Sequence, residues 1–345
     1  MVIDANMYWF PEELFSDENG LERFLAEVPE ARATKGYLKE NDNGVKQIVI
    51  EKPEGYPSLN YAQGDYILEQ MLGDLDKAGA DKALLKLPGC QEWMGLDTCK
   101  NFNDGMADFA RRSNGRLIPL AVVPPVASQE VYDEIDRCRN ELGIRNIQMT
   151  THYKTDYLDA ERFAPFFEKL NEQETTIYVH HSPIPVEYSC LYEYNNLRRS
   201  YGRCTDQTIA ICREVFSGFF DKYPNLKMVH SMLGGGFFAI ANMMFPQQAK
   251  TQEKVQRFET QSGNIKESFV NHIFFETSHA QPWGKDALEC AVKVLGADHI
   301  IWGTSYPVRK EWLLEGPDFV RQLDISEEDK EAILSGNARR VYCLD

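Results

Sequence analysis

Histidines, a tyrosine and a serine fall where short apolar runs end. His180 and His181 close the run Thr176–Val179, His230 follows Leu226–Val229, and Glu276 and His279 follow His272–Phe275. His152 comes after Ile144–Met149, Asn6 and Tyr8 after the first run at Met1–Asp4, and Ser305 after the last at His299–Trp302. Five of the seven histidines sit at such ends, and the other two, His272 and His299, sit at run starts. Several imidazoles on one rim can act as acid and base near neutral pH. A tyrosine hydroxyl beside them can hydrogen-bond a developing enolate or phenolate. We therefore expect His180, His230, Tyr8 and Ser305 to carry the chemistry. Asn6, His181, His279, Glu276, Arg309 and Trp93 are expected to bind substrate, with Arg309 in the last loop suited to a carboxylate. The aromatic residues in these loops suit a small cyclic or aromatic ligand. Gly234–Gly236 after His230 reads either as a backbone nest for an anion or as a tight turn.

The runs that must position these residues number eight, with Lys82–Leu87 and Leu117–Val123 completing the set. Between most of them lie amphipathic stretches. In the stretch from Ser128 to Gly143, Val131, Ile135 and Cys138 share one helical face and Gly143 supplies a stop. Short strands apolar on both faces, alternating with helices, indicate parallel βαβ units. Eight of them favour a TIM-like (β/α)8 barrel, with chemistry at the C-terminal strand ends, over an open doubly wound sheet. One domain, residues 1–345, is expected. Residues 11–61 break the alternation and read as a small insertion or lid, with a β-hairpin around Lys46–Lys52.

Apolar residues make up 43% and charged residues 26% of the chain, a globular composition. A net charge of −16 repels phosphate backbones and anionic membrane surfaces, so neither nucleic acid nor membrane is an expected partner. No apolar run approaches the roughly 18 residues of a membrane span. The N-terminus lacks a basic, then apolar, leader pattern, so a cytoplasmic location is expected. None of the eight cysteines forms a C-x-x-C pair, and reduced thiols are expected, with Cys90 a candidate nucleophile.

The motifs VIDANMYWFP, YVHHSP, VHSMLGGGFF, WGTSYP and the ending ISEEDKEAILSGNARRVYCL occur in order along the chain. Together they resemble the amidohydrolase superfamily, in the branch of aminocarboxymuconate semialdehyde, γ-resorcylate and 5-carboxyvanillate decarboxylases. The resemblance implies a barrel, a C–C lyase activity on a small acid and a possible homodimer. It also implies a metal centre, from which this sequence departs. Asn6 and Tyr8 stand at two positions of metal-binding histidines and Ser305 at that of an aspartate, whereas His180 and His230 match the family's histidines. A zinc-type ion wants three or four N, S or carboxylate donors. No cofactor is therefore expected; were a divalent metal such as zinc held, His180 and His279 would hold it. The expected function is a decarboxylase-like lyase working by His/Tyr acid–base chemistry without the usual family metal. A metal-independent hydrolase of a cyclic ketone or lactone, and a non-catalytic barrel, are the alternatives. The ending is expected to form a helix, a G-N-A turn and a second short helix.

Overall fold

Strand β1 (Ile3–Tyr8) is buried along its whole length. It runs on through Asn6 and Tyr8, where the sequence pattern suggested an end at Asp4. Strands β2 (Lys35–Glu40), β3 (Lys46–Glu51) and β4 (Pro57–Ala62) follow as an antiparallel sheet with β3 in the middle. The expected hairpin is thus three-stranded, and Ile48, Val49 and Ile50 bury its centre. The computed structural model describes residues 1–186, 188–245 and 259–344.

The remaining long-range strands are parallel. Strand β5 (Lys82–Lys86) pairs with β1 on one side and with β6 (Leu117–Pro119) on the other. Strand β7 (Ile147–Thr150) precedes a two-residue hairpin, β8 (His152–Tyr153) with β9 (Asp156–Tyr157). Strands β10 (Thr176–His180), β11 (Lys227–His230), β12 (Ile273–Glu276) and β13 (Ile300–Ile301) complete a five-stranded sheet in the order β13-β12-β11-β10-β7. The two parallel sheets meet at both margins. A bridge between Ala121 and Ile147 joins one seam, and a bridge between Met7 and Tyr306 joins the other. Three backbone hydrogen bonds reinforce the second seam: Ala5 N to Trp302 O, Ser305 N to Asn6 O and Tyr8 N to Tyr306 O.

Alternation along the strands decides what faces inward. Ile3, Ala5, Leu84, Leu120, Tyr178, Val229, Phe274 and Ile301 form one buried cluster, which Ala338, Val341 and Tyr342 close from one end. Two residues further along three of these strands come Lys86, His180 and Glu276, on the same side as Leu84, Tyr178 and Phe274. The helices pack outside with conventional ends. Ser128 caps the helix Gln129–Asn140 by accepting from the Val131 N–H, and Gly79, left-handed at φ 65°, stops Leu68–Ala78. The expected G-N-A turn near the C-terminus is absent. Gly336 is right-handed helical, and the chain winds continuously from Glu327 to Tyr342. Asn337 instead spends its amide on the carbonyls of Ala297 and Ile300. No helix among the described residues is long and apolar enough to cross a membrane.

After β11 the backbone turns left-handed for five residues, Met232 to Gly236. A Cβ on Gly235 would lie 1.8 Å from the carbonyl oxygen of Cys204, whereas one on Gly236 would meet only the Trp283 ring at 3.6 Å. Both positions carry the left-handed penalty, and only Gly235 adds a collision with backbone. Gly235→Ala should therefore cost about 3 kcal/mol or more, and Gly236→Ala about 1 kcal/mol, in urea unfolding. Equal losses would remove the close approach from the account of this turn.

Candidate active site

The seam between β1 and β13 assembles the first group of side chains. The buried carboxylate of Asp4 accepts from the Asn6 N–H (2.9 Å), the Thr304 N–H (3.1 Å) and the Thr304 hydroxyl. Asn6 and Ser305 are thereby held side by side. The Asn6 amide donates to Ser305 Oγ at 3.0 Å and to Glu276 Oε2 at 3.1 Å, while its Oδ1 is buried without a partner. Glu276 also accepts from the Tyr178 hydroxyl (2.9 Å) and from both the hydroxyl and the backbone N–H of Ser278.

Tyr8 and His180 form the second group. The Tyr8 hydroxyl lies 2.9 Å from His180 Nε2 and 3.4 Å from Ser305 Oγ. His180 Nδ1 lies 2.7 Å from the carbonyl oxygen of His181. A carbonyl can only accept, so Nδ1 carries the proton and Nε2 accepts the Tyr8 O–H. The His181 ring sits tilted against that of His180, with centroids 4.1 Å apart, and its backbone N–H donates to Ser231 Oγ. His279 lies flat on Trp312 at 4.2 Å, with its Nδ1 buried and unpartnered.

Burial sets the protonation of this set, because water no longer stabilises the charged forms. It holds His180 down to about 3 and His279 to about 4, and lowers His181 well below the usual imidazole value. It also pushes the Tyr8 phenol up to about 12. At neutral pH the site therefore presents neutral imidazoles and an intact phenol.

Three expected residues lie elsewhere. His230 is turned away from the strand interior. Its neighbour Val229 faces inward, so the next side chain points out to the helix Gly202–Phe216. Gln207 takes its Nδ1 at 2.8 Å and Glu214 its Nε2 at 2.9 Å. A ring with both nitrogens engaged on that side does not meet the Tyr8 pair. Arg309 is exposed and stacks over Trp312 at 5.8 Å. Trp93 packs edge-on against Phe24. Cys90 is fully buried, and burial pushes its thiol up, which suppresses the thiolate a nucleophile needs.

Other groups come to the site unannounced. Lys86 is fully buried, its ammonium 2.9 Å above the centre of the Tyr178 ring and without a hydrogen-bond acceptor. Burial lowers its pKa well below the usual lysine value, against the opposing fields of Glu276 and Asp4. Its spacing of two from Leu84 in an apolar run was the available signal. Lys52, at the end of β3, makes a buried ion pair with Glu92, which also accepts from Ser182. Leu59 of β4 packs beside Gly89 next to the His180 ring. The β2–β4 sheet thus covers these strand ends. Arg203 extends from the start of Gly202–Phe216 and donates to the Ser58 carbonyl at 3.0 Å. Its charge acts on Tyr8, His180, His181 and His279.

Comparison with known proteins gives this geometry a family context. An amidohydrolase family model matches residues 91–344. The chain is 26% identical over 252 residues to 2-amino-3-carboxymuconate-6-semialdehyde decarboxylase of Dictyostelium discoideum, spanning 72% of this chain and 67% of that protein. It is 24% identical over 318 residues to gamma-resorcylate decarboxylase of Rhizobium radiobacter, spanning 84% and 94%. The crystal structure of 5-carboxyvanillate decarboxylase from Novosphingobium aromaticivorans, complexed with manganese and 4-hydroxy-3-methoxy-5-nitrobenzoic acid, superposes with a TM-score of 0.74 at 21% identity. That match covers 100% of this chain and 96% of the other.

The manganese in that neighbour overturns the expectation of no cofactor: the decarboxylases of this fold point to a divalent metal. The side chains seen here do not fit such a centre. Among the described residues no three His, Cys, Asp or Glu side chains converge on one point. Glu276 is saturated by Tyr178, Ser278 and Asn6, and His180 Nε2 is taken by Tyr8. The Asn6 Oδ1 is one unclaimed oxygen, where a divalent ion wants several donors.

Two measurements follow. The combined Asn6→His, Tyr8→His and Ser305→Asp variant places three new donors around His180 and should raise manganese affinity by on the order of tenfold or more in chelator competition. No gain would mean that these positions do not share one space. The buried imidazoles stay neutral when folded and charge when unfolded, so the unfolded chain binds more protons below about 6.5. Melting temperature should accordingly fall as pH drops from 6.5 towards 4. A flat profile there would contradict the burial of these rings.

Proposed function

The chain belongs to the amidohydrolase family, and from that premise we propose that it is a carbon–carbon lyase that removes carbon dioxide from a small carboxylated aromatic or cyclic acid. The observation that carries this reading is the buried Tyr8–His180 pair at 2.9 Å. The named decarboxylase relatives support it. We read the closed circuit of parallel strands as a TIM-like (β/α)8 barrel forming one domain, with residues 11–61 inserted as its cover. The two seam bridges and the family match support that architecture.

Decarboxylation exchanges a C–CO2⁻ bond for a C–H bond. The electron pair of the broken bond stays on the ring carbon, carbon dioxide leaves, and a proton arrives at that carbon. The donor must still hold its proton at neutral pH. Tyr8 does so, because burial keeps its phenol intact to about 12. His180, held to about 3, is too weak a base to keep a proton at neutral pH. Its part is positional: it accepts the Tyr8 O–H in the resting site, and the hydroxyl turns from His180 to the ring carbon to deliver its proton. Once the proton has gone to carbon, the Tyr8 oxygenate faces the field of Arg203, and water restores the phenol after product leaves. Asn6 and Ser305 hold the floor of the site beside Tyr8.

Carbon dioxide release from a panel of hydroxybenzoates, followed by coupled detection, tests the reading. Tyr8→Phe should lower kcat by about 10²-fold or more while substrate affinity is retained. The pH profile of kcat/KM should show no imidazole-type inflection between pH 5 and 8, since His180, His181 and His279 remain neutral throughout that range. Full activity in Tyr8→Phe would remove Tyr8 as the donor. Incorporation of solvent oxygen into the product without carbon dioxide release would replace the lyase by a hydrolase.

A further inference from the structure

Arg203 is a half-buried cation with no counter-ion among the described residues. Its Nε is buried and has no hydrogen-bond partner, and one terminal nitrogen donates to the Ser58 carbonyl at 3.0 Å. Among the described residues no Asp or Glu pairs with it, although Arg116, Arg137, Arg162, Arg213 and Arg321 each have a carboxylate partner. Among the described residues Arg198 also lacks a carboxylate and has an unpartnered Nε, but its terminal nitrogens donate to Tyr192, Pro57 and Asn195, where Arg203 donates only to Ser58. The groups that feel its charge inside the site are Tyr8, His180, His181 and His279, all neutral at neutral pH. Burial lowers its own pKa to about 10, the direction expected of a cation that lacks an anion. Its position is built in. The Gly235 turn lies against the Cys204 carbonyl, so the first turn of the helix is fixed where Arg203 leaves it.

Leaving a charge buried and unpaired is costly, and a ligand that brings the opposite charge recovers that cost on binding. A guanidinium is a planar fork whose parallel N–H groups match the two oxygens of a carboxylate. We propose that Arg203 is the anchor for the carboxylate of a ring acid, with its free Nε–H and a terminal N–H making the fork and the ring lying against Tyr8 and the histidine faces. The choice of a ring acid rests on the decarboxylase reading; the anchoring of a carboxylate does not. Such an anchor also separates substrate from product. When carbon dioxide departs, the anionic handle departs with it, and the neutral ring loses its hold on the site.

The test is calorimetric titration of the full chain with 2,6-dihydroxybenzoate and with resorcinol, the same ring without the carboxylate. Wild type should bind the acid at least about tenfold more tightly than resorcinol, the range of a hydrogen bond to a charged group. Arg203→Met should lose about tenfold or more in affinity for the acid and change resorcinol binding less than about twofold, and Arg203→Lys should keep part of the preference. The melting temperature of Arg203→Met should be unchanged or raised, since an apolar side chain replaces an unpaired charge. Where an acid is turned over, KM should rise more than kcat falls. The anchor is overturned if wild type shows no preference for the acid, if Arg203→Met keeps that preference, or if both ligands weaken together as the melting temperature drops. An Arg203-dependent preference in a protein that releases no carbon dioxide from any acid would sink the decarboxylase reading and leave the anchor standing. Carbon dioxide release with an unchanged KM in Arg203→Met would do the reverse.

Discussion

The carboxylate of Asp4 is the fixed point of the molecule. It is fully buried, and burial raises its pKa, yet it holds three donors from both sides of the seam between the first and last strands. An isolated carboxylate in that position would be expensive; one that collects two backbone N–H groups and a hydroxyl, with the Lys86 charge nearby, is tolerated. With the backbone hydrogen bonds across the same seam, it holds the strand circuit in this register. That register brings Asn6 to Ser305 and carries Tyr8 to His180. The chemistry of the rim is set two residues below the rim.

Much of this was legible in the sequence because strands impose their own geometry. Apolar runs located the eight parallel strands to within a few residues, and the residues after those runs include Asn6, Tyr8, His180 and Ser305, which the structure brings together. His230 exposes the limit of that logic. Position after a run says which end of a strand a residue occupies, not which face, and a shift of one residue exchanges the faces. Ser231, not His230, follows Val229 onto the inner side, where its hydroxyl meets His181. Arg203 and Lys52 were invisible for a different reason. They enter from a helix start and from the sheet between β1 and β5, and only the packing of those elements brings them in. The G-N-A segment failed because tertiary partners for Asn337 outweighed the local turn preference of glycine and asparagine.

The charge distribution is layered. The chain as a whole is acidic, while Lys52 and Lys86 lie buried and Arg203 half-buried around the strand ends. Lys52 is matched by Glu92, and Lys86 sits among Glu276, Asp4 and the Tyr178 ring. Arg203 alone of the three faces a set of neutral groups. Screening by water and salt is weak in such an interior, so the Arg203 charge reaches these neutral groups despite the acidic exterior.

The sheet over the strand ends has a kinetic consequence. Tyr8 and His180 are at most 5% exposed, and the Lys52–Glu92 pair, Leu59 and the Ser58 carbonyl close the space above them. For a ligand bound against Tyr8, as proposed above, the path from solvent passes this sheet. Binding that required the Lys52–Glu92 pair to part would be slower than diffusional encounter at the surface.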